Sequence, residues 1–212
     1  MLRLRSRCRS AIGRAIRSVS RVLNRTASIG PNDHAARFYK HFGRGSIINW
    51  PTGNMYGERW ISIGEDTMIA ADVTLSAGMV PDQEMMTDPV VIIGDRCLIG
   101  RGSAIVGHYR IDIGDDVFTG MNVYITDQNH GYEDPDTPIG VQDPLDDPVV
   151  IGAGSWIGSG VVVLPGARIG DQCVVAANSV VKGEFPSHSV IAGVPAKVVR
   201  AYDGMKWGRP ES

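Results

Sequence analysis

An interval of six residues runs through the middle of this chain and restricts its fold more than any other feature. The aliphatic anchors fall in triplets: Ile63, Ile69, Leu75; Ile93, Ile99, Ile105; Ile113, Thr119, Ile125; Ile151, Ile157, Val163; Ile169, Val175, Val181. Fourteen of the fifteen are Ile, Leu or Val, so the period is no accident of composition. The residue four places after an anchor is small or β-branched, as in Thr67, Cys97, Ser103, Ser155 and Ser179. No α-helix repeats every six residues. A coil of three short strands joined at three corners does, and a short fixed period marks a solenoid whose turns stack on one another. Eight anchors are followed directly by Gly, which is expected at corners where the backbone needs φ freedom.

The irregular steps are informative as well. They separate Leu75 from Ile93, Ile105 from Ile113 and Ile125 from Ile151. Each follows a third anchor, so every insertion leaves from the same corner of the prism. Solenoids collect insertions on one face, often the binding face. The longest insertion carries Pro135, Pro138, Pro144 and Pro148 among five Asp, and a loop of that length is usually functional.

The chain divides into a basic arm (1–29), a lead-in with an irregular first coil from about Ile47 (30–62), a β-helix domain (63–185) with an external loop at 131–148, and a tail (186–212). The arm holds eight of the 21 basic residues and no acid, which leaves 13 basic residues against all 23 acidic ones. Ile12, Ile16, Val19 and Leu23 lie at i, i+4, i+7 and i+11, an apolar stripe on a helix over 10–25. Two uses fit such an arm: packing on this protein or a sister subunit, or lying on an anionic membrane surface. Nothing else in the chain is basic enough for nucleic acid. No apolar run approaches a membrane span, and the first segment lacks the continuous apolar stretch of a secretory signal. The lead-in carries Phe38, Tyr39, Phe42, Trp50, Tyr56 and Trp60 and is expected to cap the solenoid end. Cys97 and Cys173 occupy the small inward position and read as buried thiols, and Cys8 stands apart; the spacing supports neither a disulfide framework nor a zinc site. A cytoplasmic setting is the default for such thiols. A short helix is expected from Pro195 to Tyr202, since Pro suits a first helical turn.

Four motifs in order resemble the hexapeptide-repeat acyltransferases over roughly residues 45–201. They are the repeat; Thr126-Asp127-Gln128-Asn129-His130-Gly131; Val150-Ile151-Gly152-Ala153-Gly154-Ser155-Trp156-Ile157-Gly158 with Leu164-Pro165-Gly166-Ala167; and Ile191-Ala192-Gly193-Val194-Pro195-Ala196-Lys197-Val198-Val199-Arg200. Together they look like the galactoside and maltose O-acetyltransferases and their surface-polysaccharide relatives. The resemblance implies an all-β, left-handed parallel β-helix, a homotrimer with sites between neighbouring prisms, acetyl-CoA as co-substrate without a metal, and a carbohydrate acceptor.

It also assigns residues. His130, one of five His, matches the general base, and a neutral imidazole suits that work near neutral pH. Asn129 either orients the acceptor and the developing oxyanion or caps the turn. Asp127 and Glu133 either fix the imidazole tautomer or are solvated loop acids. His108 flanks the acceptor one coil earlier. Trp156 is a subunit-packing residue or a wall of the substrate groove, and the resemblance favours the groove. Gln142 pins the loop. Lys197 and Arg200, three apart on the expected terminal turn, match phosphate contacts; Ser159 and Ala177 match positions whose backbone meets the pantetheine arm. Two departures stand out. Gly100-Arg101-Gly102 lacks the acceptor-binding Asn of the galactoside group, and Lys182-Gly183 displaces a family Lys by one residue, which weakens its assignment to the coenzyme. On the same solenoid, a γ-type carbonic anhydrase would need three converging His, of which only His108 and His130 are repeat-borne; a non-catalytic binding solenoid would need no His130.

Overall fold

The computed structural model describes residues 2–80 and 83–209, with side chains described from Arg9 onward; the side chain of Cys8 lies outside that range. The described residues form one α-helix, α1 (Leu2–Thr26), three short 3-10 turns and short strands, most of which lie in three long sheets that are parallel except for a closing hairpin at the end of one. The sheets are the faces of a prism that the chain visits in turn. The first face stacks Ile63, Ile93, Ile113, Ile151, Ile169 and Phe185 in register. The second aligns Ile69 with Ile99, and Thr119 with Ile157, Val175 and Ile191. The third stacks Leu75, Ile105, Ile125, Val163 and Val181. The six-residue interval is therefore the length of one side.

Packing explains the pattern position by position. The anchors fill the axis and are at most 4% exposed. The one polar anchor, Thr119, accepts a hydrogen bond from Gly100 N–H at 2.8 Å, so its hydroxyl is satisfied in the core. Ser155 Oγ likewise bonds the coils around it, donating to Gly170 O at 3.2 Å and accepting from Cys173 N–H at 3.0 Å. Cys97 and Cys173 are buried free thiols, as expected, and burial pushes both above the ordinary thiol range.

Glycine after the anchor has a different reason from the one expected. The left-handed corner residues lie two places further on, at Asp66, Asp116, Asn122 and Asn178 among others, types that tolerate positive φ. Gly100 is needed because a Cβ there would run into the Gly120 backbone of the next coil. Close stacking, not turn geometry, selects it.

The prism extends past residues 63–185 at both ends. Its first coil begins at His41–Phe42, which pairs with Ser62–Ile63, and its last includes Ser189–Gly193. The expected helix over 195–202 is absent: Ala196–Tyr202 is a strand, antiparallel to Ser189–Gly193 and followed by Trp207–Gly208. An open sheet edge leaves backbone donors and acceptors unpaired. The returning chain, rich in β-branched Val, pairs them and closes the end of the second face.

Candidate active site

All three insertions leave from the corner between the third and first faces, as the spacing required. The first runs from Gly78 to Pro89, the second is the short 108–110 turn, and the third begins at Asp127. The third is zipped at its base. Gln128–His130 pairs antiparallel with Pro144–Asp146, so His130 stands opposite Pro144 on a defined hairpin. Beyond it, Gln142 ties the tip: its Nε2 donates to Asp134 O at 2.9 Å and Thr137 O at 2.8 Å, and its Oε1 accepts from Asp134 N–H at 3.2 Å. This is the pinning role expected of it.

His130 and Asn129, both exposed, lie at a cavity of about 400 Å³. Its other walls are Tyr56, Gly78, Met79, Val106, Tyr124, Thr126, Gln128 and Leu164. The third face thus supplies the floor, and the first and third insertions supply the sides. Two phenols, a threonine hydroxyl and two amides around one imidazole suit a polyhydroxylated ligand. Of these walls, Thr126, Gln128 and Leu164 appear in the sequence motifs without a role, and Tyr56 only among the lead-in aromatics. Tyr124 carried a further signal, as a large outward residue beside an anchor in the coil that leads to His130.

The acids behave differently from the expectation. Asp127 is fully buried. Its Oδ1 accepts from His108 N–H at 2.8 Å, and its Oδ2 from Tyr109 N–H at 2.8 Å and Arg110 N–H at 2.5 Å. Both oxygens are spent holding the turn of the coil below, so Asp127 is neither a tautomer-fixing partner of His130 nor a solvated acid. Burial raises its pKa, and the three backbone donors oppose that rise. His108 does meet a carboxylate: its Nδ1 is 3.2 Å from Asp146, which also accepts from Gln128 Nε2 at 2.9 Å, and its Nε2 is 3.4 Å from Gln83 Nε2. Nδ1–H donating to Asp146 and Nε2 accepting from Gln83 Nε2 satisfy both contacts. His108 therefore joins the two long insertions behind the cavity and does not line it.

The remaining residues fall into three places. Trp156 lies on the second face, 57% exposed, in register with Phe118 and Val174; within one chain it does not share the His130 cavity. It belongs to an outward ladder that also holds Ile47, Met68, Leu98 and Val190. Lys197 and Arg200 extend this same face. They pair with Ala192 and Val190, and the register shift there makes Val199 an extra residue. A regular strand sends positions three apart to opposite sides; the bulge brings both cations to one side, where they are exposed. Their shared face thus survives the loss of the expected helix. Ser159 and Ala177 are exposed on successive coils at the corner between the second and third faces, and Asn178 N–H donates to Ser159 O at 2.9 Å. Lys182 is exposed at the other end of the third face, towards the first. Among the described residues, no group of three His, Cys, Asp or Glu is placed to hold a metal ion, and no helix is long and apolar enough to cross a membrane.

The chain matches two families, the bacterial transferase hexapeptide repeats over residues 148–183 and the hexapeptide repeat of succinyl-transferases over 90–127. It is 38% identical to a putative lipopolysaccharide biosynthesis O-acetyl transferase of Escherichia coli over 54% of this chain and 62% of that one. With the galactoside O-acetyltransferase of the same organism it shares 32% identity, over 68% of this chain and 64% of the relative. The chain thus spans less than two thirds of either relative's length. Among solved structures, an N-acyltransferase from Bacillus cereus, in complex with dTDP and 3-hydroxybutyryl-CoA, superposes with a TM-score of 0.66 at 20% identity, covering 79% of this chain and 85% of that one. That likeness concerns the fold. The resemblance drawn from the motifs is borne out by the family and sequence matches.

Proposed function

We propose that this chain is an acyltransferase that moves an acetyl group from acetyl-CoA to a carbohydrate hydroxyl, with His130 as general base. The observation that carries the reading is the exposed imidazole at a hydroxyl- and amide-lined cavity, held on a two-stranded hairpin. The acceptor oxygen attacks the thioester carbonyl carbon and its proton passes to the His130 ring. The C–S bond then breaks, and the departing thiolate takes up a proton. Direct attack in a ternary complex needs no acyl-enzyme. Asn129, which shares the cavity with His130, would donate to the developing oxyanion. Lys197 and Arg200, on one outer side of the second face, would hold the coenzyme phosphates, with the Ser159 and Ala177 corner along the pantetheine arm. Lys182, at a different corner, stands apart from that path.

The reading includes the left-handed winding that the family resemblance implies, and a homotrimer. The homotrimer is supported by the apolar ladder on the second face, which calls for cover in water. A neighbouring prism there would also bring Trp156 to a site that it cannot reach within its own chain. The arm (1–29) would hold the enzyme peripherally on an anionic, cytoplasmic membrane face, leaving the prism (41–193) and its closing hairpin free to act.

His130→Ala should lower kcat by ~10²–10⁴ without unfolding the protein, the usual worth of a positioned general base. Free-thiol release from acetyl-CoA with a panel of saccharides measures it. A variant that keeps a third of the turnover would sink the assignment. The pair Lys197→Ala with Arg200→Ala should raise the KM for acetyl-CoA about tenfold or more, from charge-assisted bonds of ~1.5–3 kcal/mol each, with a much smaller change for the acceptor.

A further inference from the structure

The aromatic lead-in does more than cap the prism. Phe38, Tyr56, Gly57, Glu58, Arg59, Trp60 and Gln83 enclose a second cavity of about 300 Å³. It is not independent of the first. Tyr56 lines both. Gln83, on its rim, accepts a hydrogen bond from Met79 N–H at 2.8 Å through Oε1, and Met79 is a wall of the His130 cavity. Met79 and Gln83 of the first insertion are therefore a shared wall between two adjoining cavities, and Gln83 and Glu84 are fastened down. Trp60 Nε1 donates to Gln83 O at 3.1 Å, and Arg59, with its guanidinium carbon 4.6 Å from the Trp60 ring centre, is paired with Glu84 at 2.5 Å.

We propose that this second cavity is an acceptor subsite that binds a sugar ring next to the one acetylated, so that the acceptor is an oligosaccharide or glycan and not a free monosaccharide. The inference rests on the acyl-transfer reading above. Three features select the ligand class. Each cavity is at the low end of the ~300–1,000 Å³ range of small-molecule sites, room for a ring and not for a long chain. Exposed Phe38, with Tyr56, offers ring surface for the C–H face of a pyranose, while the Glu58 carboxylate can bond its hydroxyls. The charge argues against a nucleotide sugar. Among the described residues, the one cation lining the cavity, Arg59, is already matched by Glu84, and Glu58 adds a negative charge where a diphosphate would have to lie.

The experiment uses the full chain and a panel of hexoses, their linear di- to tetrasaccharides, and UDP- and dTDP-linked sugars. Transfer from acetyl-CoA is followed by thiol release, and binding is followed separately by saturation-transfer NMR. At least one oligosaccharide should exceed its own monosaccharide about tenfold in kcat/KM. Phe38→Ala and Glu58→Gln, checked for unaltered thermal unfolding, should each cut that ratio at least fivefold and weaken oligosaccharide binding. Equal use of monosaccharides or nucleotide sugars, a ratio that survives both variants, or no saturable oligosaccharide binding overturns the subsite. Loss of transfer with oligosaccharide binding intact would instead fail the acyl-transfer reading and leave the subsite standing.

Discussion

The arm and the prism are both written in periodic apolar residues, and they use them in opposite ways. In the prism the anchors recur every six residues and are at most 4% exposed. In α1 the stripe recurs at helical spacing, yet Ile12, Ile16, Val19 and Leu23, joined by Val22, are 40–63% exposed. The period determines the local structure in each case, but burial determines its role. A stripe that its own chain covers holds the fold together. A stripe left uncovered, and surrounded by Arg, points to something outside the chain. The ladder on the second face is a third case, apolar and outward on an element whose other side is the core.

The largest effect should separate the two periods. Ile113→Asp places an unpaired charge in the axis of the prism and should cost more than about 4 kcal/mol, read by denaturant unfolding. Ile16→Asp in the arm should change stability by less than about 0.5 kcal/mol. Comparable losses would show that the arm is folded onto the prism and would erase the contrast. Next comes the ladder. Phe118→Glu with Trp156→Glu should reduce the proposed trimer to monomers in sedimentation, since each aromatic anchor at an interface is worth about 2 kcal/mol. A trimer that persists would place its contacts on another face. The smallest effect concerns the arm alone. Removing residues 1–26 should abolish co-sedimentation with anionic vesicles at low salt, and Arg14→Gln should weaken it about fivefold, at ~1 kcal/mol for each basic residue. Salt should weaken binding of the full chain. Full-length protein that ignores such vesicles would return the arm to a sister subunit.

Much of the site was legible before any coordinates because its parts are local. His130 heads the longest break in the repeat, and Gln142 bonds residues within its own loop. The errors came from residues whose partners lie on other coils. Asp127 reads as one more loop acid until the 108–110 turn, some 18 residues earlier, is seen to close on it. The terminal segment reads as a helix start from its Pro, while the open edge of the second face makes it a strand. Trp156 is a different case: its motif reads as a groove wall, and from the second face the proposed groove needs a neighbouring prism.

The amino-acid sequence by itself determined the coil, its three sides, the single corner from which insertions leave and the placement of His130 there. Those follow from the side-chain period and from interruptions of it, both properties of neighbours along the chain. Only the tertiary structure decided that Asp127 is a buried clamp, that a bulge at Val199 aligns Lys197 with Arg200, that the outward residues of the second face form one ladder, and that the lead-in and the first insertion line a cavity beside the one at His130. Each of these depends on which residues of successive coils come into register. The insertions loop out of the stack, so that register is set by backbone pairing and core packing across coils, and no local interval in the chain encodes it.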